Sequence, residues 1–282
     1  MTSFSDFKSK GYVVVPNFLT ARELTAFTWD YNNASTTKTI QDVGKSLYYT
    51  TSNVSATALK IIQPKIVKLA KELSAATLST ADLYNAGAEY YTSELIEFPW
   101  HQDHGAWYLY QQHCNYLNFY LVIRKENPEL SGLCLVPFDV LSDAIPDQID
   151  KIVNQGASRY IVEDNQTRYI NDNTGEEILL NCNIEELKHS PSLEAGDLLL
   201  FRGDVIHRTQ DSLSNRLALS IRITDGNAPI SKTKLLAGGR YKTAYLIDNQ
   251  QVFWALFEAF EYYQRDEITT YEYLSYKNNP PK

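Results

Sequence analysis

The segment GDLLLFRGDVIHRTQDSLSNRLALSIRI, which spans residues 196–223, is informative about both the fold and the function. Its apolar run predicts a strand, a turn follows, and His207 lies just beyond the turn. Apolar and polar side chains then alternate up to Ile223, which is typical of a strand with one buried face. Successive side chains of a strand point to opposite faces. We therefore expect Arg216 and Arg222 on one face of this strand and its leucines and isoleucines on the other.

Further short strands are predicted on either side of this segment. The predicted strands before residue 216 are Tyr12–Val15, Leu83–Thr92, Tyr116–Ile123, Gly132–Val136, Tyr160–Val162, Arg168–Ile170, Ile178–Leu180 and Asp197–Phe201. Helices are predicted mainly near the ends, over about residues 21–31, from Pro64 onward, and over 251–263, whereas the polar residues 33–55 predict a long loop. No regular alternation of strand and helix is visible. We therefore expect a mainly β protein with flanking helices and an antiparallel double-sheet barrel at its core.

The chain length of 282 residues, with no repeat and no linker rich in proline or glycine, predicts one domain over residues 1–282. Within it we expect a core at about 80–225, an N-terminal helical part at 1–79 and a C-terminal helical extension at 226–282. The extension carries a run of aromatic residues whose role the sequence does not reveal.

The amino-acid composition of the chain argues against several classes of binding partner. The chain has 26 basic and 34 acidic residues, a net charge of −8, and no basic runs, which argues against binding to nucleic acid or to an anionic membrane. Its three cysteines, Cys114, Cys134 and Cys182, are far apart and odd in number, which argues against a disulfide framework. No apolar stretch is long enough to cross a membrane, and the N-terminus lacks the apolar core of a signal peptide. We expect a cytoplasmic protein with a small-molecule substrate, and a homo-oligomer is compatible with the sequence.

His101 and Asp103 are candidate metal ligands because residues two apart in an extended segment point the same way. Together with His207 from another strand, they would form a facial triad of two histidines and one carboxylate. That set suits Fe(II) and leaves three coordination positions open. Taken singly, each part has a simpler interpretation: a surface histidine beside a solvated aspartate, and a structural histidine after a core strand.

Arg216 follows His207 by nine residues on the alternating strand. An arginine that points into a barrel must find an anion, because an unpaired buried charge is very costly. A guanidinium can hold a carboxylate through two parallel hydrogen bonds. The alternative is that Arg216 pairs with an aspartate or glutamate of the protein at its surface.

The order and spacing of these features match the pattern of a known protein family. The chain resembles the phytanoyl-CoA dioxygenase-like branch of the Fe(II)/2-oxoglutarate oxygenases. The matching pieces are GYVVVPNFLTARELTAF at residues 11–27, WHQDHGAW at 100–107 and the segment at 196–223. The resemblance covers about residues 11–225, and Phe138-Asp139 departs from it because relatives carry Gly-Ser-His at that turn.

The resemblance implies a double-stranded β-helix, that is, a cupin-like jelly-roll core. It implies His101, Asp103 and His207 as iron ligands, and Arg216 as the residue that binds the distal carboxylate of 2-oxoglutarate. By the same resemblance, Asn118 lies near the cosubstrate. The expected substrate contacts are Trp107, His104 and Tyr108, and ordinary core packing is the alternative for Trp107.

The implied activity is that of a dioxygenase that uses Fe(II), 2-oxoglutarate and O2. It would hydroxylate an aliphatic C–H bond of a small molecule, such as an amino acid derivative or a natural-product intermediate, and release succinate and CO2. Halogenating relatives replace the carboxylate ligand by a small residue, so Asp103 favours hydroxylation. Two alternatives remain: a cupin-type metalloenzyme that does not use 2-oxoglutarate and has no need of Arg216, and a non-catalytic ligand-binding barrel.

Overall fold

The computed structural model describes residues 4–34, 37–41, 48–76, 83–93, 98–111, 116–238, 240–248 and 250–279. The strands are β1 (Tyr12–Val15), β2 (Thr37–Gln41), β3 (Tyr48–Asn53), β4 (Leu83–Thr92), β5 (His101–Gln102), β6 (Leu117–Lys125), β7 (Leu133–Val136), β8 (Ser158–Glu163), β9 (Gln166–Asn171), β10 (Glu177–Leu180), β11 (Leu198–Arg202), β12 (Ile206–Thr209), β13 (Arg216–Asp225), β14 (Pro229–Ser231) and β15 (Glu267–Thr269). The helices are α1 (Phe4–Lys10), α2 (Ala21–Asn32), α3 (Ala56–Ala76), α4 (His104–Tyr108), α5 (Phe138–Ala144), α6 (Ile184–Leu187), α7 (Lys232–Leu236), α8 (Arg240–Asp248), α9 (Gln250–Tyr263) and α10 (Thr270–Asn278). Every strand predicted above is present.

Two antiparallel sheets form the core. The large sheet has seven strands in the order β1-β11-β6-β13-β4-β3-β2, and the small sheet has six in the order β10-β9-β8-β5-β12-β7. The ring of Phe201 on the large sheet lies 4.9 Å from the ring of His207 on the small sheet, centroid to centroid. The sheets therefore face each other, which confirms the expected jelly-roll.

The alternation along β13 divides its side chains as predicted. Leu217, Leu219 and Ile221 lie in the apolar cluster that the outer face of the large sheet forms with α2 and α3. Ala218 lies instead in the cluster between the sheets, with Leu199 and with Leu135 of the small sheet. The face that carries Arg216 and Arg222 is therefore the inner one.

The hairpin predicted around residues 163–166 joins β8 and β9 with Glu163 opposite Gln166. Its two turn residues, Asp164 and Asn165, have φ angles of 50° and 62°. Two positive φ angles in a two-residue loop match the right-handed twist of the strands, and asparagine and aspartate tolerate that conformation best.

Two predictions for the N-terminal part were wrong. Pro64 lies inside α3 rather than at its start, because Ser55 accepts a hydrogen bond from the amide of Ala58 and starts the helix earlier. The loop expected at 33–55 contains β2 and β3, which extend the large sheet from the edge of β4. Threonine and tyrosine favour strands where a sheet edge can pair with them.

The C-terminal part, after residue 225, forms a ribbon of β14 and β15 with α7 to α10 around it. Its buried side chains share a cluster with Ala106, Tyr110 and Tyr116, so it packs beside the segments that flank α4. No helix in the described part of the chain is long and apolar enough to cross a membrane. Cys134 and Cys182 are unbridged, and Cys114 lies outside the described residues.

Candidate metal centre and cosubstrate site

His101, Asp103 and His207 converge on one point between the sheets. His207 on β12 lies directly opposite His101 on β5, and their ring centroids are 4.2 Å apart. One ligand atom from each of the three residues lies within 4.8 Å of the other two. The side chains at 101 and 103 thus point the same way, as their spacing predicts, and the set can hold a metal ion.

Both imidazole rings are oriented by backbone carbonyls. Nδ1 of His101 lies 2.8 Å from the carbonyl oxygen of Pro99, and Nδ1 of His207 lies 2.9 Å from that of Val205. Nδ1–H therefore donates in each ring, which leaves Nε2 as the lone-pair donor for a metal. Burial, followed by the charge of His207, lowers the pKa of His101, so that this ring is neutral, as a metal ligand must be.

The carboxylate of Asp103 is also held in place. Nδ2 of Asn118 donates a hydrogen bond of 2.6 Å to its Oδ2. Burial opposes ionisation of Asp103, but His207, Arg222, His101 and this hydrogen bond together lower its pKa. A carboxylate has about four acceptor positions, so Asp103 can bind a metal ion and keep the bond from Asn118.

Gln102, between His101 and Asp103 in the chain, points to the other face and fixes the segment. Its Nε2 donates to the carbonyl oxygens of Ile152 and Asp204, and its Oε1 accepts from Ser158 and Tyr160. The side chain is completely buried with both amide atoms satisfied. This role was not predictable from the sequence, because the four partners are far away along the chain.

The turn before His207 is tied to the same segment. Arg202 donates to both carboxylate oxygens of the fully buried Asp204 at 2.9 and 2.6 Å. The amide of Asp103 donates to the carbonyl oxygen of Gly203 at 3.1 Å. The two ligand-bearing segments are thus connected by side-chain and backbone bonds, which keeps the three ligands in fixed register.

Arg216 lies at the start of β13 and reaches across to the small sheet. Its Nη1 donates to the carbonyl oxygens of Ser131 and Gly132 at 2.7 and 3.1 Å, and the residue is 5% exposed. Its Nε is buried without a hydrogen-bond partner in the described part of the chain. A buried donor without an acceptor is costly, so this edge of the guanidinium suits a bound carboxylate.

Lys125 lies opposite Arg216 on β6 and adds a second cation. Its Nζ donates to the carbonyl oxygen of Pro128 at 2.8 Å. Burial, and then the charge of Arg216, lowers the pKa of Lys125 to about 8. Two neighbouring cations repel each other, and an anion beside them would relieve that repulsion.

The three predicted substrate contacts lie on α4, immediately after Asp103. Nε2 of His104 lies 2.9 Å from Oδ2 of Asp172, which also accepts a two-pronged ion pair from Arg159. Tyr108 is completely buried, and Trp107 packs on Gly156. Asn118, predicted near the cosubstrate, contacts the metal ligand Asp103. Their roles toward cosubstrate and substrate stay predictions.

A family model described as phytanoyl-CoA dioxygenase (PhyH) matches residues 7–218, well over half of the chain. The chain belongs to the phytanoyl-CoA dioxygenase family. This PhyH match includes His101, Asp103, His207 and Arg216. No curated protein matches the sequence.

Two solved structures share the PhyH-like fold. One is SnoN, a non-heme α-ketoglutarate-dependent epimerase from nogalamycin biosynthesis, with 17% identity and a TM-score of 0.53 over 80% of this chain and 83% of that one. The other is SnoK, a non-heme α-ketoglutarate-dependent carbocyclase from the same biosynthesis, with 15% identity and a TM-score of 0.53 over 79% and 83%. At such low identity the likeness supports the fold alone.

As a PhyH-family protein, the chain is an Fe(II)- and 2-oxoglutarate-dependent oxygenase, with O2 as its other cosubstrate. The residues present fit these groups. Two imidazoles and one carboxylate are a donor set for non-heme Fe(II). The buried Nε of Arg216, which lacks a partner in the described residues, fits a carboxylate of 2-oxoglutarate.

Proposed function

We propose that this oxygenase is a hydroxylase that acts on an aliphatic C–H bond of a small molecule. The observation that carries the proposal is the complete set of His101, Asp103 and His207 on facing strands, with their ligand atoms within 4.8 Å of one another. A protein that had become a binding barrel would be under no constraint to keep all three. The cupin-type alternative has no need of Arg216, whose Nε lacks a partner among the described residues.

Each residue has a defined task in this proposal. His101, Asp103 and His207 hold iron(II), and Asn118 keeps the Asp103 carboxylate in its ligating rotamer. Arg216 binds the distal carboxylate of 2-oxoglutarate, with Lys125 beside it. When bound, iron, 2-oxoglutarate and O2 supply the oxidation of an unactivated C–H bond. The protein orients the substrate, and the apolar cluster between the sheets keeps water out of the barrel.

Asp103 supports hydroxylation as the outcome. Its carboxylate is anionic, as its lowered pKa indicates, and takes the position that a halide would need. SnoN, an epimerase, and SnoK, a carbocyclase, are also non-heme α-ketoglutarate-dependent enzymes, so epimerisation and ring closure are the outcomes that compete with hydroxylation.

We also propose a small-molecule substrate and a cytoplasmic location, without a nucleic-acid or membrane partner. The net charge of −8 opposes binding to polyanions. Cys134 and Cys182 are unbridged, which fits a reducing compartment.

The test is substrate-stimulated release of succinate, followed by mass spectrometry of the product formed under isotopically labelled O2. A panel of amino acids and aliphatic carboxylic acids serves as the substrate set. We expect one compound to stimulate succinate release and to gain one labelled oxygen atom. Stimulated succinate release with a product that carries no oxygen from O2 would contradict hydroxylation and favour a desaturation, an epimerisation or a ring closure.

A further inference from the structure

A second arginine lies on the inner face of the large sheet, at the opposite end of β13 from Arg216. Arg222 pairs with Asn118 of β6 on one side and with Gly87 of β4 on the other. The side chain of Asn118 donates to Asp103, a metal ligand. The charge of Arg222 is also one of the influences that lower the pKa of Asp103. Arg222 therefore lies beside the metal centre, and the iron and cosubstrate roles described above leave it unused.

Arg222 is held in place by Tyr91, which also contacts Glu89. Nη2 of Arg222 donates to the Tyr91 hydroxyl at 3.1 Å, and that hydroxyl donates to Oε2 of Glu89 at 3.0 Å. Nη1 of Arg222 and Oε2 of Glu89 form an ion pair at 3.9 Å, with no direct hydrogen bond between them. The tyrosine hydroxyl therefore spaces the cation from the anion, so that each keeps bonding capacity for another group.

Within the part of the chain that the structure describes, there is room for a ligand beside Gly87. A Cβ atom placed on Gly87 would meet no atom of the described residues within 4 Å, although Gly87 is the strand neighbour of Arg222. The side chains of Arg222 and Glu89 are 28% and 17% exposed, so each side chain borders accessible space. Glycine in the middle of a strand costs stability and often marks the close approach of a ligand.

We propose that Arg222 and Glu89 form the substrate subsite and that the substrate is a free α-amino acid. Its carboxylate binds Arg222, and its ammonium group binds Glu89. A substrate with a carboxylate alone would place its charge near Glu89, and one with an amine alone would place its charge near Arg222. A zwitterion satisfies both partners and leaves the charge of the subsite unchanged. This inference rests on the proposed function, because it names the substrate class of the same site.

The ligand-side test uses the unmodified enzyme, loaded under anaerobic conditions with iron(II) and 2-oxoglutarate. Its visible charge-transfer band and calorimetry report binding of each proteinogenic L-α-amino acid at millimolar concentration. We expect at least one amino acid to bind and to perturb the band. Its α-amide, which lacks the carboxylate, and its N-acetyl derivative, which lacks the ammonium group, should each bind about tenfold more weakly or worse.

The protein-side test compares Arg222→Gln, Arg222→Lys and Glu89→Gln with Arg124→Gln. Arg124 is an exposed arginine on the neighbouring strand β6, so it is a matched control. We expect Arg222→Gln and Glu89→Gln to weaken amino acid binding about tenfold or more, and Arg222→Lys to restore part of it, because the charge remains while the fork is lost. Arg124→Gln should bind as the unmodified enzyme does.

The possible outcomes separate the two proposals. If the charge-transfer band forms and no amino acid perturbs it, the zwitterion subsite is wrong while the oxygenase site stands. If an amino acid binds and its amide or N-acetyl derivative binds equally well, the subsite is also wrong, whatever the variants do. If an amino acid binds but its product carries no oxygen from O2, the hydroxylase proposal fails and the subsite stands.

Discussion

The two sheets of the barrel carry different parts of the site and hold them in different ways. The candidate metal ligands of the small sheet lie on or beside very short strands: β5 has two residues and β12 has four. The arginines of the large sheet lie on β13, which has ten residues and is paired along both edges. Backbone pairing alone can set the positions of Arg216 and Arg222. The short ligand-bearing strands need additional polar contacts, which Gln102, Asp204 and Asp172 supply.

Substitutions in the two sheets should therefore impair different properties of the protein. A change in the small sheet should cost metal binding or local stability, because few backbone bonds hold the ligands. A change on the inner face of β13 should cost affinity for a bound anion and leave the fold intact. Four variants test this difference, in order of expected effect.

The largest effect is expected for Asp103→Ala. It removes the only anionic ligand of the candidate centre, so we expect loss of iron binding and of succinate release. Iron stoichiometry after anaerobic loading and gel filtration measures the first, and a coupled succinate assay measures the second. A variant that kept iron and turnover would move the metal centre away from these three residues.

Arg216→Ala tests the large sheet. It removes the charge-assisted hydrogen bond from Nε to the distal carboxylate, so we expect the KM for 2-oxoglutarate to rise roughly 10- to 100-fold. Iron content should change little. Arg124→Ala, on an exposed position of β6, serves as the control. Equal KM values in both variants would place the carboxylate elsewhere, with Arg222 as the next candidate.

Asp172→Asn tests whether polar contacts stabilise the small sheet. Asp172 is 3% exposed on its side chain and bonds His104 and Arg159, so its loss should cost about 3 kcal/mol of unfolding free energy. Burial raises the pKa of Asp172, but the bonds from His104 and Arg159 lower it overall. The stabilisation is therefore complete above the unfolded value of about 3.9 and is lost as pH falls through the folded pKa.

Urea unfolding at neutral and acidic pH measures this effect, with the exposed Asp143→Asn as control. The difference between Asp172→Asn and the unmodified protein should shrink as pH falls. An identical free energy of unfolding for all three proteins at neutral pH would show that Asp172 does not stabilise the fold.

The smallest effect is expected from the titration of Lys125, whose pKa is lowered to about 8. Lys125 is positive below this pH and neutral above it. We expect the KM for 2-oxoglutarate to rise severalfold between about pH 7 and about pH 9. Lys125→Met should raise KM at the lower pH and flatten the profile, whereas the exposed Lys151→Met should not. A steep profile in Lys125→Met would assign the titration to another group.

The sequence predicted those parts of the site that depend on local spacing. His101 and Asp103 face one way because strand side chains alternate, and the same rule predicted that Arg216 and Arg222 share one face of β13. It could not reveal the partners of Gln102 or the pairing of Asp172 with Arg159 and His104. Those contacts depend on which strands become neighbours, which no local pattern encodes.

Elements of the fold that depend on distant segments were likewise not predictable from local sequence. The β8–β9 hairpin was predictable because the two residues of its turn tolerate positive φ angles. The β2–β3 pair was missed because its strands are polar and depend on the edge of β4 for pairing. The early start of α3 was missed because Ser55 is a weaker signal than the Pro64 within the helix.

One spectroscopic titration tests the division between the sheets most directly. Iron(II) is added under anaerobic conditions to the unmodified protein, Asp103→Ala and Arg216→Ala, and 2-oxoglutarate is then titrated while the visible charge-transfer band is recorded. We predict a saturable band for the unmodified protein, the same band at roughly 10- to 100-fold higher 2-oxoglutarate for Arg216→Ala, and no band for Asp103→Ala. No band in folded, iron-loaded unmodified protein, or an Arg216→Ala titration that matches it, would contradict the account.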